Sequence, residues 1–323
     1  DEAGDEVLVP ALTFVASATA IVYINAVPVF VDVDAETYNI SPAAMEKAIT
    51  KRTRAVVLVH NGGYPANMDR IRALAKKHQL KIIEDSAHAH GSSWKGVKVG
   101  ALGDLGTFSF QMGKTLASGE GGIILTNNSD LAEKAFSMHH NGRQAGRPFY
   151  EFHRIGSNLR MTEWQGAILN AQFKRFGKQI RHREKNATYL AQGLREIKGL
   201  RPIKRDPRVT SWGFYYWNFH YIPEDFEGVS RDRFLEAAQA EGLPVGVGAH
   251  GAPIYNNPVF QNMKSIAGRR VDYSRTHCAQ AERLFAREAV CISHTAFLGP
   301  RADMDKLLAG FRKIRRHAAA LKK

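Results

Sequence analysis

Residues 55–91 read AVVLVHNGGYPANMDRIRALAKKHQLKIIEDSAHAHG. The apolar runs Ala55–His60 and Lys81–Glu84 do not alternate with polar residues, which is typical of strands covered on both faces. Between them, Asn67–His78 places its apolar residues on one helical face. A strand, a helix and a second strand at this spacing predict a crossover unit in a largely parallel sheet.

The same alternation continues on both sides of this unit. Ser41 and Pro42 predict the start of a helix that runs to Ile49, with Ser41 as N-cap and Pro42 in the first turn. Another helix is predicted from Ser129 onward. Further strands are predicted at Val7–Pro10, Val29–Val33, Leu105–Phe110 and Ile123–Thr126. In such sheets ligands bind beyond the carboxyl ends of the strands, so we expect the chemistry at that edge.

The second half of the chain has a different character. From Thr162 to Ile197 the pattern is long, helical and charged along one side, and a mixed pattern begins after Gly199. Strands are predicted at Trp212–Ile222 and Pro244–Val247, and helices at Arg231–Glu241, Tyr273–Phe285 and Asp303–Lys313. We therefore predict an α/β fold: residues 1–200 form a large domain with a mostly parallel sheet sandwiched by helices, and residues 201–323 form a smaller α+β domain.

Length and composition agree with a globular protein of this size. The chain has 323 residues, of which 44% are hydrophobic. No apolar run approaches the roughly 20 residues that span a bilayer, and no signal segment opens the chain. Cys278 and Cys291 show neither zinc-type spacing nor a disulfide framework. These features favour a cytoplasmic location and predict no membrane partner.

The net charge of +14 leaves two interpretations open. One is a polyanion-binding protein, and the other is a solvated basic face. The second is favoured, because much of the excess lies on predicted helices, at Lys174–Lys185 and Arg312–Lys323, and no aromatic-interleaved basic run is present. No nucleic-acid partner is expected.

The strongest chemical signal is LGTFSFQMGKTLASGEGG, residues 105–122. A strand ends near Ser109, Lys114 follows five residues later, and a glycine-rich loop comes next. Partial burial would lower the pKa of Lys114 and make its neutral amine a nucleophile for an aldehyde. Ser109 and nearby backbone N–H groups could hold a phosphate. The alternative is that Lys114 is an ordinary surface lysine.

A second signal is KIIEDSAHAHG, residues 81–91. Asp85 emerges at the carboxyl end of a buried strand, and a buried acid needs a partner. A pyridinium nitrogen is one candidate. A metal site formed by Asp85, His88 and His90 is the rival, but a spacing of two residues does not place both histidines on one helical face. No metal site is therefore predicted, and His90 is expected to be structural.

Together these segments resemble the sugar aminotransferases of the DegT/StrS type, within the pyridoxal-phosphate-dependent enzymes of fold type I. The resemblance covers most of Gly4–Leu169. The matching stretches, in the family's order, are GDEVLVPALTFVASATAI, PVFVDVDAETYNI, EDSAHAHG, FSFQMGKTLASGEGG and HNGRQAGRPFYEFHRIGSNLRMTEWQGAIL. The resemblance implies a mostly parallel sheet of the seven-stranded type and pyridoxal 5'-phosphate as cofactor. It also implies a homodimer whose active site is shared between subunits.

The resemblance also implies roles for particular residues. Lys114 matches the lysine that holds the cofactor as a Schiff base and transfers protons during the reaction. Asp85 matches the partner of the pyridine nitrogen. His88 takes the place of a Gln or His near the cofactor's phenolic oxygen, and Ser109 matches a phosphate ligand.

Two further residues match family positions, each with a structural alternative. Phe14 matches an aromatic residue that stacks on the cofactor, although it could simply belong to the core. Asn158 matches an asparagine that reaches the phosphate of the neighbouring subunit, although it could cap a helix that starts near Met161.

One departure concerns the beginning of the chain. The family has a strand–loop–helix unit before GDEV that carries a phosphate-binding turn, and this unit is absent here. We therefore expect a sequence that begins inside the large domain. Relatives with His in place of the lysine dehydrate sugars, but this chain has Lys114, so the resemblance favours transamination.

The resemblance extends to substrates. Residues 139–161 are rich in Arg, His and Tyr and resemble the branch that contains cyclitol and aminohydroxybenzoate-forming enzymes, where glutamine is often the donor. We predict transfer from Gln or Glu to a keto-sugar or keto-cyclitol in amino-sugar, antibiotic or surface-polysaccharide biosynthesis. Arg143, Tyr150 and His153 are candidate substrate contacts, or else interface residues. The alternative function is a cofactor-binding regulatory or non-transaminating family member.

Overall fold

A computed structural model of the protein describes residues 4–248 and 250–322. The strands are β1 (Glu6–Pro10), β2 (Val27–Val31), β3 (Thr53–Val59), β4 (Lys81–Asp85), β5 (Ser93–Trp94), β6 (Val97–Lys98), β7 (Leu105–Ser109), β8 (Gly122–Leu125), β9 (Leu200–Pro202), β10 (Val209–Ser211), β11 (Tyr216–Tyr221), β12 (Val245–Val247), β13 (Ser265–Ile266), β14 (Arg269–Arg270) and β15 (Ala289–Ser293).

The helices lie between and after these strands. The α-helices are α1 (Ala16–Tyr23), α2 (Pro42–Ala48), α3 (Met68–His78), α4 (Ser129–His139), α5 (Glu163–Arg195), α6 (Arg231–Ala240), α7 (Pro258–Gln261), α8 (Ala279–Arg283) and α9 (Arg301–Arg316). Shorter 3-10 segments are Asn61–Gly63, Pro223–Phe226, Ile254–Asn256, His294–Leu298 and Ala318–Lys322, and Leu284–Glu288 is a π-helical segment. None of the helices in the described part of the chain is long and apolar enough to cross a membrane.

The main sheet has the strand order β2-β1-β3-β4-β7-β8. Its first five strands run parallel, and β8 pairs antiparallel with β7. The largely parallel α/β architecture is therefore confirmed. Over the described residues the sheet has six strands, whereas the resemblance implies seven. The last strand is antiparallel because a loop rather than a crossover helix joins it to β7.

Local signals explain the helices that cover this sheet. The Ser41 hydroxyl accepts a hydrogen bond from the Ala44 N–H, as the predicted N-cap requires. The Asn67 side chain does the same for Arg70 at the start of α3. The buried residues of α3 recur along one helical face, as predicted, and include Ile71 and Leu74. These helices position β3 and β4, whose carboxyl ends lead to the chemical residues.

A second, antiparallel sheet of order β12-β15-β11-β9 forms in the C-terminal half. Helices α6 and α9 pack close to it and to each other. Its first strand begins at Leu200, but β10 pairs with β5 of the first half, and one apolar core runs through both halves. The division into residues 1–200 and 201–323 therefore stays a prediction.

Two predictions in this half are wrong in detail. The helix predicted at Tyr273–Phe285 starts only at Ala279, because Tyr273 turns inward and donates its hydroxyl to the Pro28 carbonyl at 3.0 Å. The strand predicted from Trp212 starts at Tyr216. Residues 212–215 instead run against the loop after β4, where Gly213 approaches His90 so closely that a Cβ would lie 1.9 Å from its carbonyl oxygen.

Candidate active site

The candidate site lies at the carboxyl edge of the main sheet. Strands β4 and β7 are neighbours, and they end at Asp85 and Ser109. A cavity of about 1260 Å³ opens at this edge. Five of the six predicted cofactor residues line it: Phe14, Asp85, His88, Ser109 and Lys114. Residues that are far apart in sequence therefore meet where the parallel-sheet rule predicted.

Asp85 is held by donors on both carboxylate oxygens. Its Oδ2 accepts a hydrogen bond from the Ser17 hydroxyl at 2.7 Å, and its Oδ1 accepts the Ala87 N–H at 3.2 Å. The Ser17 hydroxyl lies 3.1 Å from that of Thr13. Ser17 and Thr13 are buried and also line the cavity. Sequence reasoning missed both, although they follow β1, a strand predicted to end at the same edge.

Lys114 sits in a tight turn beside the cavity. Its N–H donates to the Gln111 carbonyl at 2.9 Å, and its Nζ lies 4.5 Å from the ring centre of Tyr215. The side chain is half-buried. Burial lowers the pKa of the Lys114 amine, and the charge of Asp85 partly opposes this shift. Lys114 is therefore not the ordinary surface lysine of the alternative interpretation, and more of its amine is neutral at pH 7 than that of an exposed lysine.

His88 lies buried behind Lys114. Its Nε2 is 2.7 Å from His250 Nε2, and its ring stacks on Tyr215 with 5.0 Å between ring centres. Burial, followed by the charges of His250 and Lys114, lowers the pKa of His88 well below its ordinary value. Both imidazoles of this pair are neutral at pH 7, because burial also lowers the pKa of His250 to about 4.

His90 is buried, as expected for a structural histidine, but neither ring nitrogen has a hydrogen-bond partner in the described part of the chain, so the expectation that its polar atoms are satisfied is wrong. Its ring packs among Phe108, Phe110 and Phe176. Burial, with a contribution from the charge of Lys114, lowers its pKa to about 4. Across residues 4–248 and 250–322, no group of three or more His, Cys, Asp or Glu side chains is arranged to hold a metal ion.

Phe14 and Asn158 differ from their structural alternatives. Phe14 is 59% exposed and lines the cavity, so it is not part of the core. Asn158 does not cap the following helix, because Thr162 does so in a capping box with Gln165. Asn158 is exposed, does not line the cavity, and accepts a hydrogen bond from Arg160 Nε at 2.8 Å. Its role toward a neighbouring subunit stays a prediction.

The candidate substrate contacts also lie outside the cavity. Arg143 Nε donates to the Phe149 carbonyl at 2.8 Å, and its guanidinium carbon lies 4.1 Å from the centre of the Phe149 ring. Tyr150 is exposed, and His153 pairs with Glu151. Within this subunit these three residues stabilise a surface segment rather than the site.

Three residues of the C-terminal half reach the site and were not predicted. Tyr215 and His250 line the cavity, and His294 contacts the turn that carries Lys114. Tyr215 belongs to the aromatic stretch that was interpreted only as a strand. His250 and His294 follow β12 and β15 and have no local signal in the sequence. The strand before His294 was itself not predicted.

A half-buried lysine and a hydrogen-bonded aspartate, both at the carboxyl edge of a largely parallel α/β sheet, are the arrangement expected of a pyridoxal-phosphate-dependent enzyme of fold type I. The residues that line the cavity fit this cofactor. Lys114 offers an amine of lowered pKa for its aldehyde, and Asp85 offers a carboxylate for its pyridine nitrogen. Phe14 adds an exposed aromatic ring. Residues 2–295 match the sequence profile of the DegT/DnrJ/EryC1/StrS aminotransferase family, and the chain belongs to this family.

Similar proteins span most of the chain. Two are named L-glutamine:2-deoxy-scyllo-inosose aminotransferase. The one from Streptomyces fradiae is 39% identical over 336 residues, and the one from Streptoalloteichus tenebrarius is 38% identical over 336 residues. Each match covers 99% of this chain and 78% of the relative. Among solved structures, 3-amino-5-hydroxybenzoic acid synthase matches with a TM-score of 0.86 and 31% identity, covering 98% of this chain and 80% of that one.

Proposed function

We propose that this aminotransferase moves the amino group of L-glutamine to a keto-cyclitol. Supporting this are the two relatives, which are 38–39% identical and whose names give glutamine as donor and an inosose as acceptor. In the transfer, the keto carbon of the acceptor gains the amino group and glutamine leaves as its 2-oxo acid. The geometric observation behind the chemistry is that Lys114 and Asp85 line one cavity.

Each residue then has a defined task. The cofactor, when bound, supplies the electron sink for the transfer. Lys114 Nζ would hold the cofactor through its aldehyde, and the free amine would carry a proton to and from the donor's α-carbon. Its lowered pKa suits both tasks, because only the neutral amine attacks a carbonyl or accepts a proton. Asp85 would pair with the pyridine nitrogen, and the Ser17 hydroxyl keeps its carboxylate oriented.

Other residues contribute to binding. Ser109 lies at the end of β7, where it would hold the phosphate. His88 would lie near the phenolic oxygen, and Phe14 would stack on the ring; both line the cavity. Asn158 reaches the phosphate site of the second subunit of a homodimer. The surface around Asn158 supports this arrangement, because it exposes large apolar side chains: Phe149, Tyr150, Phe152, Ile155 and Leu159. A cytoplasmic location fits a biosynthetic enzyme of this kind.

The experiment is a transfer assay with glutamine and 2-deoxy-scyllo-inosose, read by the mass of the amino-cyclitol. Lys114→Ala is expected to remove both product and the visible absorbance of bound cofactor. Lys185→Ala, an exposed lysine on α5, is the matched control and is expected to retain both. Cofactor binding without transfer from glutamine or glutamate to keto-cyclitols or keto-sugars would contradict the proposal and favour a non-transaminating member. Activity in Lys114→Ala would refute the role of Lys114.

A further inference from the structure

His294 links the two features that flank Lys114. It follows directly after β15, and its backbone N–H donates to the Tyr215 carbonyl at 3.1 Å. Its ring Nε2 lies 3.2 Å from the Gly113 carbonyl oxygen. The other ring nitrogen, Nδ1, lies 3.4 Å from Arg183 Nη1. The His294 side chain therefore contacts Gly113, the residue before Lys114. Its backbone contacts Tyr215, whose ring lies beside the lysine.

The chemistry of these partners determines which nitrogen of His294 carries the proton. A guanidinium only donates hydrogen bonds, so His294 Nδ1 must accept from Arg183. A carbonyl oxygen only accepts, so Nε2 must carry the hydrogen and donate to Gly113. Burial, and then the charge of Arg183, lowers the pKa of His294 to about 4. At pH 7 the ring is therefore neutral and is held in the Nε2–H tautomer.

Arg183 is an unusual residue for a core. Its side chain on α5 is 1% exposed, and in the described part of the chain Nε and Nη2 have no hydrogen-bond partner. Burial lowers its pKa to about 10, which still leaves it charged at pH 7. No carboxylate within the described ranges forms an ion pair with it. A buried charge of this kind is costly, and its described contacts are the ring of Phe176, whose centre lies 5.7 Å from the guanidinium carbon, and His294 Nδ1.

The turn before Lys114 is held from both sides. Gln111 accepts the Gly113 N–H through its side-chain oxygen at 2.8 Å, while His294 binds the Gly113 carbonyl. There is little free space, because a Cβ on Gly113 would lie 3.1 Å from both the Gln111 oxygen and the Tyr215 hydroxyl. The backbone position of Gly113 determines where the Lys114 side chain begins.

We propose that His294 is a positioning residue for Lys114: Arg183 fixes its tautomer, and its Nε2–H anchors the Gly113 carbonyl so that the lysine amine stays beside Tyr215 and the cavity. This proposal rests on the role given to Lys114 under the proposed function. It does not depend on which acceptor the enzyme uses.

The test compares two amide substitutions that split the two contacts of the ring. In His294→Gln, the amide nitrogen can take the place of Nε2 and keep the donor to Gly113. In His294→Asn, the amide oxygen can take the place of Nδ1 and accept from Arg183, but the shorter side chain cannot reach Gly113. Far-ultraviolet circular dichroism and urea unfolding establish that both variants are folded.

Two readouts are measured. The first is kcat with glutamine, which we expect to fall ~10-fold or more in His294→Asn and no more than ~3-fold in His294→Gln, with KM changing less than kcat in both. The second uses cofactor-free protein: mass spectrometry follows acylation of Lys114 against pH and yields its pKa. In His294→Asn this pKa should rise toward the ordinary lysine value, because a loosened turn exposes the amine, whereas His294→Gln should resemble the wild type.

Equal effects of the two variants on both readouts would overturn the proposal, as would a His294→Asn protein with wild-type kcat and Lys114 pKa. Arg183→Met adds a second check. It should lower kcat in the wild-type background and have less effect in His294→Gln, where the tautomer no longer matters. Equal losses of kcat in both backgrounds would also refute the proposal that Arg183 acts through the tautomer of His294. Failure to aminate cyclitols would affect only the proposed substrate, because Lys114 acylation needs no substrate.

Discussion

The buried carboxylate of Glu84 offers a quantitative test of how the site's framework is held. Glu84 precedes Asp85 on β4 and is fully buried. Its Oε1 accepts the N–H groups of Leu102 at 2.7 Å and Gly103 at 2.6 Å. Its Oε2 accepts from Gly100 N at 2.8 Å and His60 Nε2 at 2.9 Å. These bonds anchor the loop that leads into β7 and therefore to Lys114.

The isosteric change Glu84→Gln should destabilise the protein strongly. His60 Nδ1 accepts from the Ala66 N–H at 3.0 Å, so its Nε2 must be a donor. The single oxygen of the glutamine amide can still accept two of these four hydrogen bonds, but its NH₂ group would face the other two donors. Two hydrogen bonds to a charged group, at about 1.5–3 kcal/mol each, give an expected loss of about 3–6 kcal/mol in the free energy of unfolding. This is a large part of the 5–15 kcal/mol that typical domains possess.

Urea unfolding followed by tryptophan fluorescence measures the loss. Glu236→Gln is the control, because Glu236 forms an exposed pair with Arg233 and should cost less than about 1 kcal/mol. If Glu84→Gln also costs less than about 1 kcal/mol, the anchoring argument is wrong. Burial raises the pKa of Glu84, but the hydrogen bonds from His60 and the backbone outweigh it, so the net shift is downward. Glu84 therefore stabilises the fold above its unfolded pKa, and this contribution should disappear as the pH falls through its folded pKa.

Two more predictions concern the site and its surroundings. Ser17→Ala removes the hydroxyl that donates to Asp85 Oδ2 at 2.7 Å and should lower kcat/KM about 10- to 150-fold, since such a bond contributes about 1.5–3 kcal/mol. Thr19→Ala, a half-buried neighbour on the same helix, should leave kcat/KM unchanged in the same steady-state assay. His90 has its pKa lowered to about 4 by burial, so the unfolded state binds its proton first as the pH falls. Lowering the pH from 7 to 5 should therefore cost about 2 kcal/mol of unfolding free energy through His90. In His90→Leu, the free energy of unfolding from urea titrations at pH 7 and pH 5 should no longer contain this loss. If its pH dependence equals that of the wild type, the assignment to His90 is wrong.

The predicted elements of the first half agree with the structure to within a few residues. The local signals for β3, α3 and β4 are strong, because an apolar run lies on either side of a capped amphipathic helix. The C-terminal half was less predictable. Tyr273–Phe285 has a helical pattern, yet Tyr273 packs against Phe30 and leaves the helix to begin at Ala279. β15 was not predicted, although it pairs with strands on both sides.

The amino-acid sequence alone predicted where the candidate site lies. Asp85, Ser109 and Lys114 could be predicted because parallel strands bring their carboxyl ends to one edge, and local patterns show where each strand ends. Only the tertiary structure decided what surrounds Lys114. Tyr215, His294 and Arg183 come from more than 60 residues away and carry no local signal, because antiparallel pairing in the second sheet and burial of α5 bring them to the site. Those long-range contacts, rather than the motif, bring Tyr215 beside the lysine amine and His294 against the turn that carries it.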